Sequence, residues 1–413
     1  MSWWEELKDQ EERNCCLTCY TSLVNLNYST NALCTHRMEP TLLGSTITTT
    51  SGLELFNSIR YSTSLPHTFI DGLDQLLNTD GNPSLHRGDV IELQGVTGSG
   101  KTQLLYKFAI NCLLPKKLHV RLEREVVEIG VGGKEELVCW MDCTSSRRGF
   151  DIQRISTLLR HHLVSEINDY RRPKGIGAPL EEEVESLIDE CLTRLHVFSP
   201  TSTIQLASTL QTLPDWFKNA KGGEGGEDLG IVIIDGMTEF AWSDQYERSL
   251  PNPPSSAPLL DPLKLFSQSI ANLRLQLSPI IMISQWVMNP TRPHGIISSD
   301  KHPFYKHHFL PPSYPSLVST SLPNPTNPLS PHPKHPLFSI DYHLTLHPSP
   351  KPSFRKGITF GMVLKEGRKG MVGGNRRTGE KRLTEGIICV VREKGGQELG
   401  NFDVSVGEDE VIA

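Results

Sequence analysis

The chain has 413 residues, of which 37% are hydrophobic and 21% charged, so it can bury a sizeable core and is long enough for two or three domains. Its formal net charge of −6 is too small to indicate nucleic acid, a membrane or acidic substrates as a partner of the whole chain. The acidic start lacks a signal peptide pattern and no apolar run approaches the roughly 20 residues that cross a bilayer, so we expect a soluble protein made in the cytosol.

Short apolar runs alternate with helical patterns over residues 69–285, which is typical of a mainly parallel α/β sheet flanked by helices. Residues 1–60 are rich in Ser, Thr and Asn with weak periodicity, so we expect a poorly ordered leader there. Two apolar runs, 231–234 and 280–283, lack alternation, as expected of strands covered on both faces. In chain order the patterns predict strands at 89–93, 136–142, 195–199, 230–235 and 279–284, and helices at 102–114, 152–167, 181–192, 204–217 and 261–277.

Residues 290–352 hold 15 of the 29 prolines and 8 of the 15 histidines. Because proline has no amide hydrogen and does not fit central strands or helix interiors, we predict a mostly disordered insert over 290–356. The mixed spacing of the histidines favours a solvated low-complexity segment over a metal site. The predicted organisation is a leader over 1–60, a core over 61–289, the insert over 290–356, and C-terminal strands at the sheet edge with a basic glycine-rich loop over 357–413. The edge strands are expected to be antiparallel, at 357–366, 386–394 and 401–411.

The segment "GVTGSGKT" matches the phosphate-binding pattern G-x-x-x-x-G-K-[ST], and a predicted strand precedes it while a predicted helix follows. Glycines at 98 and 100 let the backbone turn so that amide groups converge on phosphate oxygens. Lys101 is expected to neutralise the β and γ phosphates of ATP, and the Thr102 hydroxyl to ligate Mg²⁺. The predicted nucleotide-binding residues are Gly95, Val96, Thr97, Gly98, Ser99, Gly100, Lys101 and Thr102.

Acidic residues at strand ends are the other part of such a site. Asp235 ends a run of four β-branched residues and is predicted to support Mg²⁺ together with Thr102. A hydrolase also needs a base to orient water, and Gly236 excludes the immediate neighbour of Asp235. Asp142, at the end of another predicted strand, and the more remote Glu239 remain as candidates for this catalytic role.

A set of segments in this order resembles the core of the RecA-type recombinase superfamily, in its branch of eukaryotic recombinase paralogs: "GDVIELQGVTGSGKTQLLYKFAINCLLP", "VCWMDCTSSRRGF", "LHVFSPTSTIQ", "IVIIDGMTEFAWSD" and "IIMISQ". The resemblance covers residues 71–285 and a terminal "FDVSVGEDEV". It implies a RecA-like fold, binding of ATP and Mg²⁺, and a nuclear protein in DNA double-strand break repair by homologous recombination. The implied partners are other recombinase paralogs in a hetero-oligomeric complex and single-stranded or branched DNA.

Residue by residue, the resemblance implies that Lys101, Thr102 and Asp235 hold phosphate and metal, and that Gln285 senses the γ-phosphate. The catalytic glutamate of the family would fall at Thr144, so we expect ATP to act mainly as a structural or assembly ligand. A DNA-dependent ATPase that uses Asp142 or Glu239 is the alternative. A third reading is a P-loop NTPase or kinase unrelated to DNA, for which the sequence offers no residues of an acceptor site.

The DNA-contacting loop of the family begins after Gln285, where this chain runs into the proline-rich insert instead. A local substitute is the segment 351–382, which is rich in glycine and carries a net charge of +8, so it could follow a phosphate backbone. A solvated loop or a nuclear import signal fits the same composition. Whether DNA contact is direct or through partners stays open. The predicted DNA-binding residues are Lys356, Arg368, Lys369, Arg376 and Arg377.

Two smaller signals remain. Trp242 and Phe240 follow Asp235, and aromatic residues beside a strand end are more often core than part of a partner-binding patch. The nine cysteines are expected to be free thiols. Tight spacing makes a zinc site the less favoured reading for a group of four possible ligands, Cys16, Cys19, Cys34 and His36.

Overall fold

The computed structural model describes residues 68–77, 85–122, 125–144, 149–174, 181–220, 228–249, 261–287, 290–291, 304–305, 314–315, 338–348, 386–394, 396–407 and 410–412. All of them lie in one compact unit, Leu55–Ala413. Several predictions lie outside these residues, namely the leader, the possible zinc ligands, the strand at 357–366 and the five basic residues of the glycine-rich loop. No helix in the described part of the chain is both long and apolar enough to cross a membrane.

Extended segments make up the centre of the fold. Most form one nine-stranded sheet, and the rest form two separate two-stranded pairs. Numbered in chain order, the strands are β1 (Val90–Gly95), β2 (Lys117–Leu122), β3 (Glu125–Gly130), β4 (Leu137–Asp142), β5 (Leu195–Phe198), β6 (Leu229–Asp235), β7 (Ile280–Trp286), β8 (Pro290–Thr291), β9 (Phe304–Tyr305), β10 (Tyr342–Pro348), β11 (Ile387–Glu393), β12 (Glu398–Val406) and β13 (Val411–Ile412).

The large sheet has the order β13-β12-β11-β10-β1-β7-β6-β4-β5. The six strands from β10 to β5 pair in parallel, whereas β11, β12 and β13 continue the sheet in antiparallel pairs. The prediction of a mixed α/β fold with a mainly parallel central sheet is confirmed. Because the six parallel strands point the same way, their carboxyl ends share one edge of the sheet.

Helices cover both faces of the sheet. Alternate residues of one strand enter different cores: Ile231 and Ile233 of β6 pack on one side, and Val232 and Ile234 on the other. This two-sided burial explains why the strand reads as a continuous apolar run. The helices are α1 (Asp71–Leu77), α2 (Lys101–Leu113), α3 (Ile152–Arg171), α4 (Glu181–Thr193), α5 (Thr203–Ala220), α6 (Ala241–Ser249) and α7 (Pro262–Gln276), with short 3-10 turns at Arg172–Lys174 and Met237–Phe240.

The structure corrects one prediction in part. Residues 338–348 fall within the segment that was expected to be mostly disordered, yet β10 lies beside β1 near the middle of the sheet, pairing Ile91 with Tyr342. The proline density of the whole segment concealed a local stretch, "FSIDYHLTLH", that has no proline and alternates apolar with polar residues. Pro348 comes only at the last position of the strand.

The hairpin of β2 and β3 was not predicted either. It lies between α2 and β4 in sequence and forms its own antiparallel pair, with Lys117 opposite Gly130. Leu118, Val120 and Ile129 are buried in the core on the α2 side of the sheet. Six charged residues within 117–130 weaken the strand signal, because charged residues are depleted in strands.

Candidate functional site

The sequence-predicted site residues meet where the parallel strands end. The loop 95–102 follows β1, while Asp142, Asp235 and Gln285 lie at or near the ends of β4, β6 and β7. Asp142 and Asp235 are directly opposite each other in the register of β4 and β6. Polar groups that are far apart in sequence therefore share one edge of the sheet.

Glycines shape the loop. Gly98 and Gly100 have φ angles of 77° and 81°, in the left-handed region that favours glycine. At Gly95 a Cβ atom would lie 2.3 Å from Ser99 Oγ and 2.9 Å from the carbonyl oxygen of Leu346 on β10. The loop is therefore held in a tight turn between β1 and the start of α2.

Lys101 folds back onto this loop. Its Nζ donates to the carbonyl oxygens of Gly95 at 2.9 Å and Val96 at 3.0 Å, and lies 3.4 Å from Ser99 Oγ. Among the described residues its ammonium forms no ion pair, and Asp235 acts on it only through space. Burial lowers the pKa of Lys101 from 10.5 to about 8, against the opposing effect of Asp235. A positive charge is thus held in a site that solvates it poorly.

Asp235 lies at the centre of a second group of contacts. Thr102 Oγ1 donates to its Oδ2 at 2.9 Å, and Ser284 Oγ of β7 donates to its Oδ1 at 2.5 Å. The amide of Gly236 in turn donates to Ser284 Oγ at 2.8 Å. Burial raises the pKa of Asp235, and the hydrogen bonds from Ser284 and Thr102 and the charge of Lys101 oppose that rise. One carboxylate therefore joins the first turn of α2 to the ends of β6 and β7.

Asp142 is bonded on both oxygens. Its Oδ1 accepts from Thr144 Oγ1 at 2.5 Å and from the Thr144 amide at 3.1 Å, while its Oδ2 accepts from the Phe150 amide at 2.8 Å. A Cβ atom on Gly149 would lie 2.7 Å from the same Oδ2. These contacts are those of a carboxylate that anchors the connection between β4 and α3.

Thr144 also packs against the end of β6. Gly236 has a φ of 80°, and a Cβ atom placed there would approach Thr144 Cγ2 to 2.8 Å. The threonine methyl therefore occupies the space beside Gly236, at the edge where Asp142 and Asp235 meet.

The remaining predicted residues differ in how they are placed. Gln285 is fully buried and sits opposite Gln94 in the register of β1 and β7. Glu239 is exposed on the 3-10 turn after β6. Phe240 packs in the core as expected, but Trp242 is 55% exposed on α6, contrary to the expectation that it would be buried.

Ser284 is the site residue that sequence reasoning missed. It is the only hydroxyl in the run "IIMISQ", immediately before Gln285, and such a residue at a strand end could have been singled out. Its hydroxyl both donates to Asp235 and accepts from Gly236. Within the described ranges, this site included, no group of three or more His, Cys, Asp or Glu side chains is placed to hold a metal ion.

Comparison with known proteins gives an independent result. Over 243 residues the chain is 26% identical to the DNA repair protein XRCC2 homolog of Arabidopsis thaliana, which covers 54% of this chain and 59% of that protein. Over 195 residues it is 27% identical to the DNA repair protein XRCC2 of Mus musculus, which covers 47% of this chain and 54% of that protein. This chain is similar to the XRCC2 proteins.

The similarity confirms the predicted resemblance to eukaryotic recombinase paralogs, and to the second X-ray repair cross-complementing protein within that branch. No family model matches the chain. The chain spans about half the length of the XRCC2 relatives. What those two proteins do is therefore a starting point for a proposal about this one.

Proposed function

We propose that this protein is an ATP-binding recombinase paralog with a RecA-like core, which acts in the repair of DNA double-strand breaks by homologous recombination. ATP with Mg²⁺ serves mainly as a structural or assembly ligand. The observation that carries the proposal is the combination of a loop built for phosphate with a strand edge whose acidic groups are already bonded.

The residues at the loop fit a magnesium-bound triphosphate. The Lys101 ammonium is half-buried against neutral oxygens, and its lowered pKa reflects the cost of that position. A phosphate would supply the opposite charge that this group lacks. Backbone amides of the loop and the start of α2 favour an anion at the same place. Thr102 and Asp235 would hold the metal, which would neutralise phosphate charge.

We expect slow hydrolysis of ATP because the acidic groups at the strand edge are already hydrogen-bonded. Both carboxylate oxygens of Asp142 accept hydrogen bonds, from Thr144 and from the Phe150 amide. Thr144 itself stands where the resemblance places the catalytic glutamate. A threonine hydroxyl has no useful basicity near neutral pH. Bound ATP would then stabilise the loop and the surrounding surface by mass action, without being consumed quickly.

The alternative is a DNA-dependent ATPase with active turnover, in which Asp142 or Glu239 orients water. Asp142 would have to leave three hydrogen bonds to do so. Glu239 is the better candidate for this alternative, because it is exposed and close in sequence to Asp235.

An assay with purified protein distinguishes the structural-ligand proposal from the active ATPase. We expect wild-type protein to bind Mg²⁺-ATP, and Lys101→Ala to abolish that binding because the only lysine of the loop is lost. Turnover should stay far below that of a RecA recombinase even when single-stranded DNA is added. Titration calorimetry would measure binding, and single-turnover phosphate release would measure hydrolysis.

Controls in the same assay use Asp142→Asn and Glu239→Gln. Under the structural-ligand proposal neither variant changes the low rate of hydrolysis. Brisk DNA-stimulated hydrolysis that one of these substitutions removes would instead support the active ATPase.

The cellular setting is proposed from the resemblance and from the names of the relatives. Both relatives are DNA repair proteins by name. We propose nuclear localisation, a hetero-oligomeric complex with other recombinase paralogs, and contact with single-stranded or branched DNA. Lys356, Arg368, Lys369, Arg376 and Arg377 are the residues proposed for direct DNA contact, and a salt-dependent loss of DNA retention on their replacement would test it.

A further inference from the structure

A cavity of about 230 Å³ lies on the α2 side of the sheet, apart from the loop 95–102. Four parts of the chain line it: the approach to α1, the middle of α2, the middle of α3 and the short strand β13. Its walls include Phe69, Lys107, Ile110, Leu158 and His162. None of the residues that line it belongs to the predicted nucleotide, metal or DNA sites.

Much of the cavity wall is apolar and aromatic. Ile110, Leu158 and Val411 are buried core residues that line it. Phe69 and His162 add two rings, with centroids 4.8 Å apart and planes tilted by 39°. Such rings attract a further aromatic ring. Because a cavity of roughly 150 Å³ can hold benzene in a protein interior, this one has room for a ring with one small polar substituent.

The backbone holds Phe69 at the cavity in a conformation that side chains rarely adopt. Its φ is 60°, in the left-handed region. The flanking Thr68 and Ile70 are fully buried, and the amide and hydroxyl of Thr68 donate to Asp74 Oδ1 at 2.9 and 2.8 Å. Strain of this kind persists only where the surroundings fix it, and it is concentrated at functional sites.

Lys107 brings an ammonium group that needs an acceptor. The side chain is half-buried, and within the described part of the chain it forms no hydrogen bond or ion pair. Burial lowers its pKa, while the charges of Asp71, Glu410 and Glu166 act through space against that shift. An acceptor oxygen on a ligand in the cavity would satisfy the ammonium.

His162 supplies a second polar group. Its Nε2 atom is buried and, among the described residues, has no hydrogen-bond partner. Burial lowers the pKa of His162 to about 4, and the charges of Lys107 and His161 act in the same direction, so the imidazole is neutral at pH 7. A neutral imidazole nitrogen donates or accepts according to its tautomer, and it therefore suits an uncharged polar group.

The charges around the cavity disfavour an ionic ligand. Asp71 and Glu410 line it together with Lys107, and Glu410 Oε2 lies 3.8 Å from His161 Nε2. An anion would therefore enter beside two carboxylates, and a cation beside an ammonium. Either ion would also lose its hydration. An uncharged acceptor can bond Lys107 without these costs.

We propose that this cavity binds a small, planar, uncharged aromatic compound that carries a carboxamide-like group. The ring packs on Phe69 and the apolar wall, the carbonyl oxygen accepts from Lys107, and the amide hydrogen-bonds His162 Nε2. The site is separate from the proposed nucleotide site, since Lys107 lies about 9 Å along α2 from Lys101. The inference does not depend on ATP binding.

Three probes of similar size and different charge test the proposal: benzamide, benzoate and benzylammonium. In NMR titrations of the full-length, nucleotide-free protein, benzamide should shift the methyl resonances of Ile110, because a bound ring would lie beside them. Ile270 of α7 packs on the other face of the sheet and should not shift. Benzamide should bind at least about fivefold more tightly than either ion.

Two variants remove the polar groups one at a time. Lys107→Met should weaken benzamide binding about tenfold, because a hydrogen bond from a charged donor is lost. His162→Phe keeps a ring beside Phe69 but removes Nε2, and should weaken binding about fivefold. Lys218→Met is the matched control on α5, where the lysine side chain is 63% exposed, and should leave the affinity unchanged.

A shift at Ile110 that needs higher benzamide concentrations in both variants would support the site. No shift at Ile110, equal affinity for the three probes, or full affinity in Lys107→Met would overturn it. If Lys107→Met does not fold, His162→Phe decides by the same titration. Wild-type protein that binds benzamide but not Mg²⁺-ATP would contradict the proposed function and still support this site.

Discussion

The ammonium of Lys101 is half-buried against neutral oxygens, and this gives the protein a defined pH dependence. The pKa of Lys101 is about 8 in the folded protein and 10.5 for the free side chain. The unfolded chain therefore binds this proton more tightly, so the free energy of unfolding should rise with pH between about 8 and 10.5. Below pH 8 the charged form destabilises the nucleotide-free fold by an amount on the order of 3 kcal/mol.

Lys101→Met tests this cost. The variant should be more stable than wild type at pH 7.5, and its advantage should shrink by about 2–3 kcal/mol by pH 10. Urea unfolding of the nucleotide-free proteins at both pH values would measure it. Lys218→Met, which changes a lysine that is 63% exposed, is the control and should show a difference from wild type that does not depend on pH. A pH-independent advantage for Lys101→Met would contradict the expected cost.

For single residues, the sequence predicted which side chains lie at the candidate site but not which hydrogen bonds they form. The pattern of residues 95–102 and the apolar run before Asp235 placed Lys101, Thr102 and Asp235 at one sheet edge, where the structure also has them. The bonds of Asp142 to Thr144 and Phe150 depend on how the chain after β4 turns back, and no local pattern encodes that turn. Ser284 was missed because it is a single polar residue in an apolar run, which only its place near a strand end distinguishes.

Among the elements, β10 has the largest consequence for the site. It pairs with β1 on one side and β11 on the other, and the carbonyl of its Leu346 leaves no room for a Cβ atom at Gly95 of the loop 95–102. The strand thus helps to shape the loop. Element prediction worked where the signal was long and local, such as the apolar periodicity of α3 and the unbroken apolar run of β6. It failed at β10 because composition was averaged over a longer proline-rich window.

Leu344→Ala tests the place of β10 in the core. Leu344 is 1% exposed, so the change should lower the free energy of unfolding by about 2–4 kcal/mol through lost burial and a residual cavity. Leu275→Ala on α7 is the control, since that leucine is 83% exposed and its loss should cost less than about 0.5 kcal/mol. Chemical denaturation of both variants would measure the difference. Equal small effects would mean that β10 is not a core strand.

For the whole molecule, composition and alternation were enough to predict the parallel core, but not the strand order. Strand order depends on pairings between distant residues, such as Val90 with Ile281, and these leave no trace in a local window. The same long-range pairing ties the proposed nucleotide site to the stability of the entire sheet, because the loop 95–102 begins at the end of β1.

Ligand binding should therefore be measurable as global stabilisation. At 100 times its dissociation constant, Mg²⁺-ATP should raise the free energy of unfolding by about 2.7 kcal/mol if it binds only the folded state. Wild-type protein should show this increase in urea unfolding, and Lys101→Ala should show none. An equal increase in both proteins would mean that the nucleotide binds elsewhere.

The position of β1 between β7 and β10 also has a consequence for synthesis on the ribosome. Of the strands that the structure describes, β1 is made first, yet its two neighbours follow much later, since Ile91 must wait for Tyr342. Until then the nascent chain carries an apolar strand with both edges open, which is the kind of segment that associates with other chains. A polypeptide that ends before residue 342 would lack β10, so one edge of β1 would stay unpaired. We expect chaperones to bind such a polypeptide.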